Sequence, residues 1–166
     1  MHLLAQLEHS GVVTWVHEST SLFAYPSILL LHTIGMALVV GVAAAIDLRI
    51  LGFAPAVPLA PMERFLPVLW MGFFINAFTG TVLFAVDATA KATNADFLIK
   101  MAFIALALIT LRLIRTRVFR DPDLDARPLT TEAKVLAGAS LFFWLGAIVS
   151  GRLLAYVGPV GIGPIG

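Results

Sequence analysis

The sequence predicts an all-α fold, an integral membrane bundle of four helices preceded by an interfacial amphipathic helix, and three observations carry the prediction. Only 13% of the 166 residues are charged while 60% are hydrophobic, against about 25% charged in an ordinary soluble domain. Three uncharged runs, 19–46, 65–86 and 135–151, reach or approach the roughly 20 apolar residues that cross ~30 Å of hydrocarbon. The basic residues are grouped in the connections between such runs, as expected of loops sorted to one side of a membrane.

The first helix is placed at 26–47, with Pro26 in its opening turn, and the second at 62–87, opened by Pro61. Between them, Pro55, Pro58 and Pro61 keep the connection irregular. The third helix, 95–116, is less plain, because Lys100 and Arg112 leave a gap of about 18 Å, too short to span. One or both charges must therefore sit below the headgroups and snorkel outward. Asn94 is its N-cap and Asp96 falls in its first turn. Asp121-Pro122-Asp123 and Arg127-Pro128 break the next connection, and Thr130 or Thr131 caps a fourth helix over 131–156. The bundle thus occupies 25–157. Residues 1–24 mix Leu3, Leu7 and Trp15 with Gln6, Glu8, His9 and His17, the pattern of a helix lying in the headgroup plane. The Gly/Pro tail 158–166 is irregular.

Six of the 11 basic residues, Arg112, Arg115, Arg117, Arg120, Arg127 and Lys134, lie in or beside the 112–134 connection. That loop is therefore cytoplasmic, and alternation puts both termini outside. A net charge of +1 gives no reason to expect nucleic acid, and the lack of cysteine removes disulfides and thiolate chemistry. The first 48 residues hold no Lys or Arg, so the N-terminus reads as mature chain rather than a secretory signal. No catalytic triad or glycine-rich phosphate loop is present.

With the topology set, depth becomes readable. His32, Asp87, Lys100 and Arg152, one from each helix, share one level on the outer side. Asp47, Arg49, Glu63, Arg64, Arg112 and Glu132 ring the other end, where Asp47 and Arg49 are expected to pin neighbouring helices. An ionisable group inside a bilayer is costly and needs a partner, a ligand or a wet pocket. For Lys100 and Arg152 the plain reading is snorkelling; for His32, a hydrogen bond to a facing helix. The functional reading makes His32 the ligand of a haem b iron, with Lys100 and Arg152 neutralising the propionates. The spanning helices hold no second histidine, so the other axial ligand falls to His17, Met36 or Met101. His32, Met36 and Met101 also suit Cu(I), or the site takes a quinone against Trp144 or Trp70. Stripes Ala37-x3-Gly41-x3-Ala45 and Ala147-x3-Gly151 predict that the first and fourth helices touch, bringing Arg152 near His32.

The strings His32-Thr-Ile-Gly35, Asp47-Leu-Arg49-Ile-Leu-Gly52, Thr79-Gly80-Thr-Val-Leu-Phe84 and Asn94-Ala-Asp-Phe97-Leu-Ile-Lys100, with Trp144 and Gly151-Arg152, resemble an uncharacterised bacterial family. It comprises small four-helix inner-membrane proteins sharing a domain of unknown function, and the likeness covers roughly 20–157. The resemblance implies the four-helix fold, an inner-membrane location and His32, Asp47, Arg49, Lys100 and Arg152 as the positions to test. It supplies no activity. Copper-resistance membrane proteins and cytochrome b bundles are similar in architecture only. The expected function is a membrane subunit of a redox or cofactor-binding system. It would assemble with its own copies or with other membrane or periplasmic subunits. Copper or small-solute handling and a purely structural subunit are the alternatives.

Overall fold

The computed structural model describes residues 25–86, 88, 92 and 94–157, the last four by their backbone alone. The interfacial segment, His17, Asp87 and the tail lie outside the described residues. Four helices are long and apolar enough to cross a membrane. They are α1 (Tyr25–Leu51), α2 (Leu66–Ala85), α3 (Ala95–Arg117) and α4 (Thr131–Val157), and a 3-10 turn, Ala60–Phe65, leads into α2.

The charges Asp47 and Arg49 do not end α1, which runs four residues past the predicted limit. Its stop is Gly52, whose φ of +105° only glycine adopts cheaply. Around it the amide of Phe53 donates to Leu48 O (3.0 Å) and that of Gly52 to Arg49 O (3.2 Å). This 6→1 and 5→2 pair is a Schellman motif, closing carbonyls that would otherwise face hydrocarbon. Arg49 then donates to Val57 O and Pro55 O, tying down the connection after the helix. It does not pin a neighbouring helix. The second helix begins as the 3-10 turn because Pro61 and Pro67 each remove an amide from the ladder. Asn94 caps α3, its Oδ1 accepting from the Asp96 amide at 2.8 Å, and Thr130 caps α4 by accepting from the Ala133 amide.

Two antiparallel hairpins, α1–α2 and α3–α4, are joined by packing of α1 on α4, and α2 and α3 make only marginal contact. The α1–α2 pair approaches at two glycines. A Cβ at Gly35 would lie 2.9 Å from Gly72 O and from Asn76 N, and one at Gly72 would lie 2.9 Å from Gly35 O. The Ala37-Gly41-Ala45 stripe is exposed, and nothing stands within 4 Å of a Cβ at Gly41. The α1 face that packs is Gly35, Val39, Ala43, Ile46 and Ile50. This corrects the predicted stripe: α1 is apolar all round, so composition alone does not distinguish the packed side from the lipid side.

Core residues crowd the end of the bundle that carries the arginines. Ile46, Ile50, Leu69, Leu111 and Ile114 are sealed there by Leu59 and Leu124 from the two connections. Asp125 latches those connections together, its carboxylate accepting from the amides of Leu59 (2.7 Å) and Ala60 (3.0 Å). The other end, where His32 lies, is hollow. Apolar side chains cover the outside of the bundle, among them Leu30, Phe74, Phe78 and Phe142.

Candidate functional site

A cavity of about 310 Å³ opens in the half of the bundle that holds His32. It exists because α2 and α3 stand apart. Their gap is bridged at the histidine end by Phe84 stacked on Phe97, with ring centroids 5.0 Å apart. Toward the arginine end an ion pair between Glu63 and Arg115 (3.6 Å) bridges it. Each helix contributes to the wall: His32 and Met36 from α1, Asn76 and Gly80 from α2, Lys100 and Met101 from α3, and Trp144 from α4.

His32 is oriented by α2. Its Nδ1 lies 3.0 Å from Thr79 Oγ1, and Thr79 Oγ1 is 2.7 Å from Ile75 O. A threonine has one hydroxyl proton, and the Ile75 carbonyl takes it. Thr79 must then accept, so Nδ1 of His32 carries the proton and Nε2 keeps its lone pair. A hydrogen bond at one ring nitrogen thus sets what the other can do. Asn76 Nδ2 donates to His32 O at 2.8 Å, holding the α1 backbone at the same level. Gly80 gives the ring its room, since a Cβ there would sit 3.1 Å from His32 Cε1.

Lys100 lies along the bare backbone of Gly151, where a Cβ would be 3.5 Å from its Nζ. It stands close enough for its charge to act on His32. The cavity therefore holds an acceptor nitrogen and a cation in an otherwise apolar wall. Met36, Met101 and Trp144 supply soft and aromatic surface, and Phe73, Phe84 and Phe97 line the α2–α3 side.

The structure brings together His32, Met36, Lys100, Met101 and Trp144 of the residues singled out by sequence. Arg152 is not among the lining residues. Its side chain is exposed; the predicted α1–α4 contact is present, and the cation that lines the cavity is Lys100. A long cationic chain one turn from a helix end lowers its energy by reaching outward. Trp70 belongs to the opposite end. Asp47 is buried at 1% exposure, beside Ser140 of α4. The Asp47 carboxyl therefore meets a neighbouring helix at Ser140, while Oδ2 of Asp47, Oγ of Ser140 and Nε1 of Trp144 have no close hydrogen-bond partner among the described residues. Sequence reading passed over Asn76 and did not assign Thr79 or Gly80 to the site. Their signal was present: positions 76, 79 and 80 put two polar groups and a gap on one face of an apolar run. Among the described residues no group of three or more His, Asp or Glu side chains could hold a metal ion.

These features define a class, a four-helix bundle long and apolar enough to span a membrane, with a largely apolar cavity in one half. Comparison with protein families, with curated proteins and with solved structures finds no match.

Proposed function

We propose that the chain is a membrane subunit of a redox or cofactor-binding system, holding the ring of a quinone-type molecule between His32 and Lys100. The observation that carries this reading is the placing of an Nε2 lone pair, without a hydrogen-bond partner among the described residues, and an ammonium in one largely apolar cavity beside the α2–α3 seam. A quinone carbonyl accepts from Lys100, and a quinol hydroxyl donates to Nε2. The seam between α2 and α3 faces acyl chains, the medium in which such molecules dissolve. About 310 Å³ lies at the bottom of the range for drug-sized ligands. It suits one substituted ring and the start of its tail, and it weighs against a porphyrin, as does the absence of Arg152 from the wall.

Cu(I) held by His32, Met36 and Met101 is the second reading, favoured by all three lining the same cavity. The fixed charge of Lys100 opposes it. A purely structural role leaves the void unexplained, since voids larger than a water molecule are few in packed interiors. The location that fits best is a bacterial inner membrane, with the arginine end cytoplasmic and the cavity in the outer leaflet.

A short-chain ubiquinone titrated into detergent-purified protein tests the reading. Fluorescence is read in a Trp15→Phe/Trp70→Phe background that leaves Trp144 as the sole indole. Saturable quenching is expected, weakened about 10- to 100-fold by His32→Leu and by Lys100→Met, the loss of one charged or fully buried hydrogen bond. Absence of saturation, or quenching indifferent to both substitutions, refutes it. A Soret band or stoichiometric copper lost in His32→Ala would replace quinone with haem or copper.

A further inference from the structure

We infer that a second site, at the arginine end, holds the phosphate headgroup of an anionic phospholipid. A groove of about 520 Å³ lies between the start of α2 and the end of α3, far from the cavity, with Arg64 and Arg115 on its rim and Pro61, Pro67 and Trp70 in its wall. Both guanidinium groups have a partner beside the groove. Arg64 Nε donates to Pro61 O at 3.0 Å, and Arg115 is drawn toward Glu63 across the groove. Each keeps terminal nitrogens for a tetrahedral anion, the geometry in which arginine binds phosphate well.

An independent observation says that the anion carries acyl chains. From the groove outward, Trp70, Phe74 and Phe78 recur at four-residue spacing along α2, and all three are exposed, at 38%, 66% and 72%. Trp70 and Phe74 are in ring contact, with centroids 6.2 Å apart. They form a ridge of about 12 Å running from the guanidinium groups into the hydrocarbon. A free phosphate has no use for such a ridge, whereas a phospholipid seated in the groove lays a chain along it. Trp70 sits where an indole favours the boundary between headgroup and tail. Basic pockets between spanning helices are a recognised way of selecting anionic lipids. Glu63 adds the discriminating detail: its carboxylate offsets part of the basic charge, so one anionic headgroup is bound without a general polyanion trap.

Native mass spectrometry of the full chain with added phosphatidylglycerol, cardiolipin or phosphatidylcholine tests this. Retention of the two anionic lipids at activation energies that strip phosphatidylcholine is expected. Arg64→Gln/Arg115→Gln should weaken anionic-lipid binding about thirtyfold, from two lost cation contacts. Glu63→Gln should tighten it, a gain that misfolding does not produce. Equal retention of charged and zwitterionic lipids overturns the inference. So does an unchanged double variant, a loss with Glu63→Gln, or displacement by excess inorganic phosphate, which would make the groove a free-anion site.

Discussion

Gly35→Ala tests the packing that positions His32. The added methyl would lie 2.9 Å from two backbone atoms, Gly72 O and Asn76 N, and 3.2 Å from Asn76 Cα. Backbone in a facing helix cannot swing aside, so α1 and α2 must separate locally. Overpacking of this kind costs about 1–3 kcal/mol. The separation also stretches the Asn76–His32 hydrogen bond, and such bonds between spanning helices contribute about 0.6–1.7 kcal/mol. Alanine's better helix propensity returns up to about 1 kcal/mol. The net loss is about 1–3 kcal/mol, roughly a five- to 150-fold shift toward the unfolded state. Gly41→Ala is the control, since a Cβ there meets nothing within 4 Å, and its expected effect is neutral or slightly stabilising. Unfolding in mixed micelles, titrated with dodecyl sulfate and followed by far-ultraviolet circular dichroism, compares the two. If Gly35→Ala is as stable as Gly41→Ala, or if Gly41→Ala is the damaging change, the α1–α2 interface described here is wrong.

Other expectations follow from the same geometry. Asp47→Asn replaces a buried carboxyl whose Oδ2 has no hydrogen-bond partner among the described residues, so stability in the same micelle assay should hold or rise; a loss of about 3 kcal/mol or more would mean a paired carboxylate. The Asp125 carboxyl is held below the usual carboxylate range first by the Leu59 amide and then by that of Ala60. A carboxyl lowered in the folded state stabilises above its unfolded value of about 3.9 and loses that contribution as pH falls through its own lower value. Protection factors at the Leu59 and Ala60 amides, which correct for the pH dependence of intrinsic exchange, should therefore fall in acid in the native chain. In Asp125→Asn that acid step should vanish, and its persistence would remove the latch. Asp123→Cys, placed in a chain without other cysteines, should resist a membrane-impermeant thiol reagent applied to intact cells; labelling from outside would invert the proposed orientation.

What was legible in the sequence was local. Apolar length located the four helices, Asn94 and Thr130 announced their caps, and shared depth picked out His32 and Lys100 before any contact was known. The facing of each helix was not legible. In lipid the packed and exposed sides of α1 are equally apolar, and its two small-residue stripes, one through Gly35 and one through Gly41, differ by two positions, about half a turn. Choosing between them required the Gly72 backbone. Arg152 and Lys100 looked alike in sequence, yet one is exposed and the other lines the cavity. The difference lies in Gly151, which leaves room for Lys100 along α4. The helical span of the second helix opens at Ala60, as Pro61 announced, but its division into two kinds of helix by Pro61 and Pro67 was not legible from apolar length.

The division of the bundle into a sealed half and a hollow half gives the proposed binding reading its physical sense. The arginine end is packed and latched by Asp125, so opening it would break apolar contacts and two hydrogen bonds together. At the histidine end, among the described residues, the α2–α3 seam above the cavity is bridged by an aromatic stack, Phe84 on Phe97, worth about 0.5–1.5 kcal/mol beyond its burial. On the proposed reading, a bilayer-dissolved molecule would enter sideways through the seam beside His32 and Lys100. That pair also sorts what enters. A guest must offer an acceptor to the ammonium, and gains further by offering a donor to Nε2. A plain hydrocarbon tail does neither and would leave Lys100 without a guest contact, while a cation is repelled. On the proposed reading, specificity comes from the polar contacts that the right guest adds and a wrong one does not, and two polar side chains suffice for this in a wall that is otherwise apolar.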